Sequence, residues 1–239
     1  FVGLMIERKS LATEPTFKID ELTLEEQSSL KSSRVWESDC PIPINRLRIV
    51  KLSYWNFEGK EQADGQIMVM DAVGDSVVQI FKTLYEKKFP LAKVRLMDHY
   101  EGDDAKSLND NNTSCFNFRP IIGSTKLSLH GYGLAIDINP IQNPFIEFPE
   151  NETKKSIAIY SPPEGRQYTN RLQSRPGKPF RPGMAEQVID IFKKNGFTVW
   201  GGDWDTPIDY QHFQVTRDVA EKLIILPPQE AKIYFQSLL

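Results

Sequence analysis

Two periodicities alternate along the chain. Val73, Val77, Ile80, Phe81, Leu84 and Tyr85 keep a three-and-four spacing, which predicts a helix with one buried face, capped by Asp71 and ended by Phe89-Pro90. Before it, Leu47, Ile49, Tyr54, Trp55 and Phe57, then Glu58-Gly59, then Gln66 to Met70, predict a two-stranded hairpin. Lys93 to Met97, Cys115 to Ile122 and Phe197 to Trp200 are further strand-like runs. Tyr210 to Val215 is the expected antiparallel partner of the last, across the turn Gly201-Gly202-Asp203-Trp204. From Leu134 to Asn139 apolar and other residues alternate, so a strand there sets Asp137 opposite the apolar face.

Helix punctuation completes the pattern. Thr23-x-x-Glu26 is a capping box opening a short helix to about Lys31. Pro182, an apolar face of Met184, Val188, Ile191 and Phe192, and Asn195-Gly196 delimit another helix. Thr216 to Lys222 and Glu230 to Leu239 are helical, separated by Pro227-Pro228. The polar run from Glu101 to Ser114 reads as a long loop. Residues 140 to 181, with seven of the sixteen prolines, read as an irregular excursion placed to wall a cleft. Together these elements predict an α+β fold: a single domain with a central antiparallel sheet flanked by helices over residues 43–239, after an N-terminal extension over 1–42 that carries a short helix.

Composition narrows the function classes. A chain of 239 residues with 40% hydrophobic and 26% charged residues has ordinary globular composition and needs no disulfide scaffold. Its formal net charge of -3, with no basic block, argues against a nucleic-acid partner. No apolar run approaches the roughly 18 residues of a membrane span, so the expectation is a soluble chain without a transmembrane segment. The first residue is Phe, so the expectation is a chain processed or trimmed after a signal peptide. Cys40 and Cys115 suffice for one bridge, which would mean an oxidising compartment, or are two buried thiols.

The chain has three histidines, and two of them fall in short segments that also offer a carboxylate: His130 with Asp137, and His212 with Asp209. Two His and one Asp satisfy the three-ligand count of a catalytic zinc site with an open fourth position. Gly131 and Gly133 let the chain turn so that His130 and Asp137 enter one pocket, with His212 completing the set from the other hairpin. Asp209 is then a carboxylate beside the metal, free to act as a general base toward a metal-activated water. On spacing alone, satisfied core histidines and a commonplace strand-borne Asp are the favoured reading.

Ser128-x-His130-x-x-Gly133-x-Ala135-x-Asp137, then Trp200-Gly201-Gly202-Asp203-Trp204 and Asp209-x-x-His212-Phe213, resemble the signature of the zinc D-alanyl-D-alanine carboxypeptidase and L-alanyl-D-glutamate endopeptidase family of cell-wall peptidases. The resemblance runs from about Arg95 to Gln214, and Asp110-Asn111-Asn112-Thr113-Ser114-x-Phe116-Asn117-x-Arg119 is similar to its secreted bacterial branch. It implies one zinc ion held by His130, Asp137 and His212, and Asp209 as catalytic base. It further implies Arg119 stabilising an oxyanion or holding a substrate carboxylate, and Ser128 touching substrate. The implied substrate is a peptidoglycan stem peptide or muropeptide, and the implied setting is periplasmic or extracellular, with the protein a monomer.

Asp209 stands where the carboxypeptidase and dipeptidase members carry Glu, and in this it is similar to the endopeptidase branch. The secreted branch pairs the Cys of an early Cys-Pro with a Cys at the position of Phe118; here Cys40-Pro41 is present and the second cysteine is Cys115. A non-catalytic zinc-containing binding module of the same fold is the alternative function. Asp203 is expected to hold its turn or orient a ligand histidine, and Trp200 and Trp204 to be core or cleft wall. His99 is expected to be structural or exposed, and Asp103-Asp104 a solvated loop.

Overall fold

Strand β2 (Leu47–Trp55) and strand β3 (Glu61–Met70) form the expected hairpin, paired antiparallel from Leu47↔Met70 to Trp55↔Glu61. The structure is a computed structural model and describes residues 14–121, 126–149 and 157–239; the opening residues of the chain, and Ile122 at the end of the expected 115–122 strand, lie outside them. Strand β1 (Phe17–Glu21) pairs along the other edge of β2, giving the order β1-β2-β3. Helix α1 (Leu24–Ser32) starts with both halves of the Thr23/Glu26 capping box in place. Leu30, Val35, Cys40 and Ile42 are buried in the common core, so residues 17–42 are built into this half of the molecule.

Helix α2 (Gly74–Glu86) buries Val77, Ile80, Phe81 and Leu84, the face its spacing predicts. Asp71 does not cap it. The carboxylate takes two hydrogen bonds from Arg46, Nε to Oδ2 at 2.8 Å and Nη2 to Oδ1 at 2.9 Å, and this bidentate pair, almost shielded from water, holds it away from the helix amides.

Two expectations fail for a shared reason. The Lys93–Met97 run yields only β4 (Lys93–Val94), and the polar 101–114 stretch is ordered: it holds α3 (Asp104–Asn109) and β5 (Asn112–Thr113), the latter parallel to β4. Asp103 caps α3 by accepting from the Lys106 amide at 3.1 Å. Side-chain bonds to the backbone, such as Asn112 Oδ1 accepting from the Arg95 amide at 2.8 Å, hold these elements, and hydrophobic periodicity is blind to such bonds. The Cys115–Ile122 run forms no strand in its described part. It is threaded extended between two neighbours, with the Phe116 amide donating to Met68 O and the Phe118 amide to Val35 O, both at 3.1 Å.

The other half consists of short strands. β6 (Ala135–Asp137), β9 (Val199–Trp200) and β11 (His212–Gln214) form an antiparallel sheet in the order β6-β11-β9. β7 (Phe145–Glu147), β8 (Ile159–Ser161) and β10 (Ile208–Asp209) form another in the order β10-β7-β8. The proline-rich excursion therefore contributes two strands as well as irregular chain. Helix α4 (Ile189–Lys194) packs Phe192 on Phe213, rings parallel with centroids 4.0 Å apart. Helices α5 (Arg217–Ile225, capped by Thr216) and α6 (Pro228–Gln236) close the fold. The α+β class holds, with three small antiparallel sheets among the described residues in place of one wide sheet, two of them built on the common hydrophobic core.

Cys40 and Cys115 are buried free thiols and form no bridge. The Cys40 thiol donates to Gly131 O at 3.7 Å, and burial pushes its pKa up to about 11; burial likewise raises that of Cys115. Each is committed to its own packing site. Among the described residues, no helix is long and apolar enough to cross a membrane.

Candidate metal centre

Three backbone segments are tied together before any side chain is considered. Asp137 on β6 faces His212 on β11 as a directly opposed cross-strand pair. On its other side Asp137 exchanges backbone hydrogen bonds with Ser114, at 2.9 and 3.0 Å. His130 lies in the 3-10 turn Leu129–Tyr132, which Ser128 caps by accepting from the His130 amide at 3.3 Å. Gly133 ends that turn at φ +65°, and a Cβ there would come within 2.6 Å of the Met70 amide nitrogen, so only glycine lets the turn dock on the end of β3. Gly201 does the same for the other hairpin: a Cβ would lie 2.5 Å from Asp209 O and 3.2 Å from the His212 Cβ.

The side chains then converge. His130 Nε2 is 3.1 Å from Asp137 Oδ2, His212 Nδ1 is 3.0 Å from Asp137 Oδ1, and the two imidazole nitrogens are 3.2 Å apart. One ligand atom from each of the three residues lies within 4.8 Å of the others, and all three are buried. Both outward nitrogens are spoken for. His130 Nδ1 is 2.6 Å from Cys115 O, which can only accept, so that nitrogen carries the proton. His212 Nε2 donates to Gln214 Oε1 at 2.8 Å. Each bond keeps a proton on the outer nitrogen and turns the inner nitrogen toward Asp137, the orientation a ligating imidazole takes once that inner nitrogen gives up its proton. Two inward imidazole nitrogens and a carboxylate aimed at one buried point suit a divalent cation, and the N/O donor set suits zinc.

The local charge balance fits the same picture. Burial opposes ionisation of Asp137, yet the histidines outweigh it and hold its pKa well below the usual carboxylate range. Burial alone would lower the His212 pKa, but the hydrogen bond and charge of Asp137 raise it to about 9. Asp209 moves the opposite way: burial, and then the charge of Asp137, push its pKa up to about 7. Its Oδ2 lies 4.0 Å from His212 Nδ1, and its Oδ1 is buried without a hydrogen-bond partner.

These groups open on a cavity of about 450 Å³ lined also by Arg119, Ser128, Trp204, Gln211 and Arg217. Phe145, Glu147 and Ser161 line it as well, so the excursion does wall the cleft. Of the buried polar side-chain atoms without a partner among the described residues, Asp209 Oδ1, Arg119 Nε and Gln211 Oε1 all belong to residues of this cavity. Native interiors satisfy most such atoms, so their clustering here marks a place for a ligand. Arg119 also pairs through Nη2 with Asp104 Oδ2 at 2.9 Å, which makes Asp104 a partner in the site and not a solvated loop residue.

The remaining expectations sort simply. Trp204 is cleft wall, its ring 5.3 Å from that of His212, and Trp200 is buried with its Nε1 donating to Tyr210 O at 2.9 Å. Asp203 does not orient a histidine; its exposed carboxylate faces Lys193 Nζ at 3.6 Å, and Gln214 is the acceptor for His212. His99 is away from the centre, 3.1 Å from Arg95. Sequence reasoning missed Gln211, Gln214, Arg217 and the Cys115 carbonyl. Gln214 was legible, because it shares a strand face with His212; a backbone carbonyl carries no signal in residue type.

No curated protein and no solved structure matches the chain. Residues 122–215 match the family model described as D-alanyl-D-alanine carboxypeptidase, a span that holds Ser128, His130, Asp137, Asp209 and His212. Through that segment, the chain is similar to the D-alanyl-D-alanine carboxypeptidase family.

Proposed function

We propose that this chain is a zinc-dependent peptidase that hydrolyses peptidoglycan stem peptides, of the D-alanyl-D-alanine carboxypeptidase or L-alanyl-D-glutamate endopeptidase type, working in the periplasm or outside the cell. One observation carries the reading: a buried carboxylate with an unpartnered oxygen, Asp209, stands beside a closed set of two imidazoles and a carboxylate. In this reading His130, Asp137 and His212 hold one zinc ion. When bound, the ion supplies Lewis acidity that polarises a peptide carbonyl and makes a water acidic near neutrality. Asp209 accepts the proton of the attacking water at a carboxylate oxygen and passes it to the leaving amine nitrogen. Arg119, whose Nε is buried and unpartnered, donates to the oxygen on which negative charge develops. Ser128, whose hydroxyl oxygen already accepts from the His130 amide, keeps its proton for a substrate oxygen.

The test is a defined stem peptide, zinc-loaded protein and mass spectrometry of the products. Asp209→Asn is expected to cut turnover by about 10²- to 10⁴-fold while zinc content stays at the wild-type value. Retained turnover would remove Asp209 from the role of base. If wild-type protein with full zinc content releases nothing near neutral pH, the non-catalytic binding module of the same fold takes its place.

A further inference from the structure

The cavity presents two guanidinium groups, and they are not equivalent. Arg119 is paired with the Asp104 carboxylate at 2.9 Å, so its charge is answered within the protein. Arg217 also lines the cavity, and no carboxylate of a described residue lies within 4 Å of it. Its Nη1 and Nη2 both donate to one acceptor, Leu127 O, each at 3.2 Å. That shared carbonyl anchors the group beside Ser128 without neutralising it.

The placement carries an electrostatic cost. Arg217 is the first residue of α5, directly after the capping Thr216, and the positive end of a helix disfavours a cation there. Asp218, the acidic residue of that first turn, makes no ion pair with it. A half-buried cation kept against the helix field, and held by a neutral carbonyl, is a local conflict of the kind that folds retain where a ligand resolves it. The ligand must bring a negative charge and planar acceptors that suit a guanidinium fork.

We infer that Arg217 is the specificity-determining residue that binds a carboxylate of the substrate near the scissile bond, while Arg119 does not. This rests on the peptidase reading above. The carboxylate has two possible sources, the free C-terminus of a D-alanyl-D-alanine end or the carboxylate of a D-glutamyl residue. Both present the same chemistry to the guanidinium.

Calorimetric titration of the zinc-loaded chain tests it, with Asp209→Asn as common background so that peptide is not consumed. The probes are N-acetyl-D-alanyl-D-alanine against its C-terminal amide, and an L-alanyl-D-glutamyl peptide against its D-glutaminyl counterpart. For one of the two pairs the acid is expected to bind at least about tenfold tighter, as a charge-assisted bidentate contact gives, and that pair identifies the source. Arg217→Met should bring the ratio close to one, Arg217→Lys should keep part of it, and Arg119→Met should leave it standing. A ratio unchanged in Arg217→Met, a ratio lost only in Arg119→Met, or no preference in either pair would overturn the assignment. Should Arg217→Met not fold, the Lys variant decides alone: a ratio equal to that of the parent overturns the role of the fork. Turnover by the chain with Asp209 intact is followed in parallel. Its absence, with the acid preference present, would end the peptidase reading and leave the carboxylate site in place.

Discussion

The half of the molecule built on β1, β2, β3 and α2 and the half that carries the candidate metal centre are held together by different physics. In the first, strands of five to ten residues pair in continuous ladders and a helix of 13 residues covers them. In the second, every strand is two or three residues long. Ladders that short contribute little by themselves. Position is set there by side chains bonded to backbone and by glycines that allow close approach. Asn143 shows the manner: its Nδ2 donates to Ile138 O and Gly183 O, and its Oδ1 accepts from the Ala185 amide at 2.7 Å. Both halves bury apolar area in the common core, and the second adds placement through specific bonds. A cluster whose members must meet within a few ångströms needs the latter kind of control.

Substitutions can separate the two. Ile49, fully buried in the middle of β2, is the clean probe of the first half. Ile49→Ala is expected to cost about 2–5 kcal/mol in denaturant unfolding, through lost transfer energy and the cavity left behind, while the folded fraction keeps its zinc content and turnover. A loss of turnover per folded molecule would show that the halves are coupled.

Tyr210 probes the second half. It sits between Asp209 and His212 in sequence, and Arg171 stacks on its ring at 4.3 Å from the centroid. Arg171 is in turn fixed by two bonds to Glu186, at 2.6 and 2.7 Å, and by Gln142 O and Asn143 Oδ1. Tyr210→Leu is expected to lower stability by only about 1 kcal/mol. Turnover should fall at least about tenfold with zinc retained, because a small misplacement of a base is costly. Equal small losses in both measurements would break the proposed division of labour.

The smallest effect is electrostatic and belongs to neither half's core. Asp110 pairs with Lys93 and accepts from the Tyr100 hydroxyl at 2.7 Å. Burial opposes its ionisation, but Lys93 and Tyr100 outweigh burial and lower its pKa below the ordinary 3.8. A depressed carboxylate binds fewer protons folded than unfolded. Its stabilisation is therefore complete above pH 3.8 and is lost as the pH falls through the folded value. Asp110→Asn should cost less than about 1 kcal/mol at pH 7, as expected for a partly exposed pair. Unfolding curves of variant and parent should converge in acid; a constant offset down to pH 2 would assign the effect to packing.

What could be read from the chain followed the same division. The hairpin of β2 and β3, the buried face of α2 and the capping box at Thr23 rest on local spacing and local hydrogen bonds, and all were legible. Asp71 and the 115–122 run were misread because a distant guanidinium, Arg46, and two distant carbonyls, Met68 O and Val35 O, claim them. α3 and β5 stayed hidden because Asn and Asp side chains, which look like loop residues, bond backbone, Asp103 within its own turn and Asn112 at the distant Arg95 amide.

The sequence by itself determined which residue types are available for chemistry: His130 with Asp137 and His212 with Asp209, in a pattern similar to a peptidase signature. Only the tertiary structure decided that His130, Asp137 and His212 meet, that their outer nitrogens are bonded, and that Asp209 is buried with an unpartnered oxygen. It also decided that Arg119 is neutralised by Asp104 while Arg217 has no such partner among the described residues. Residue type fixes what a side chain can donate or accept; the distance to a partner dozens of residues away fixes whether it does.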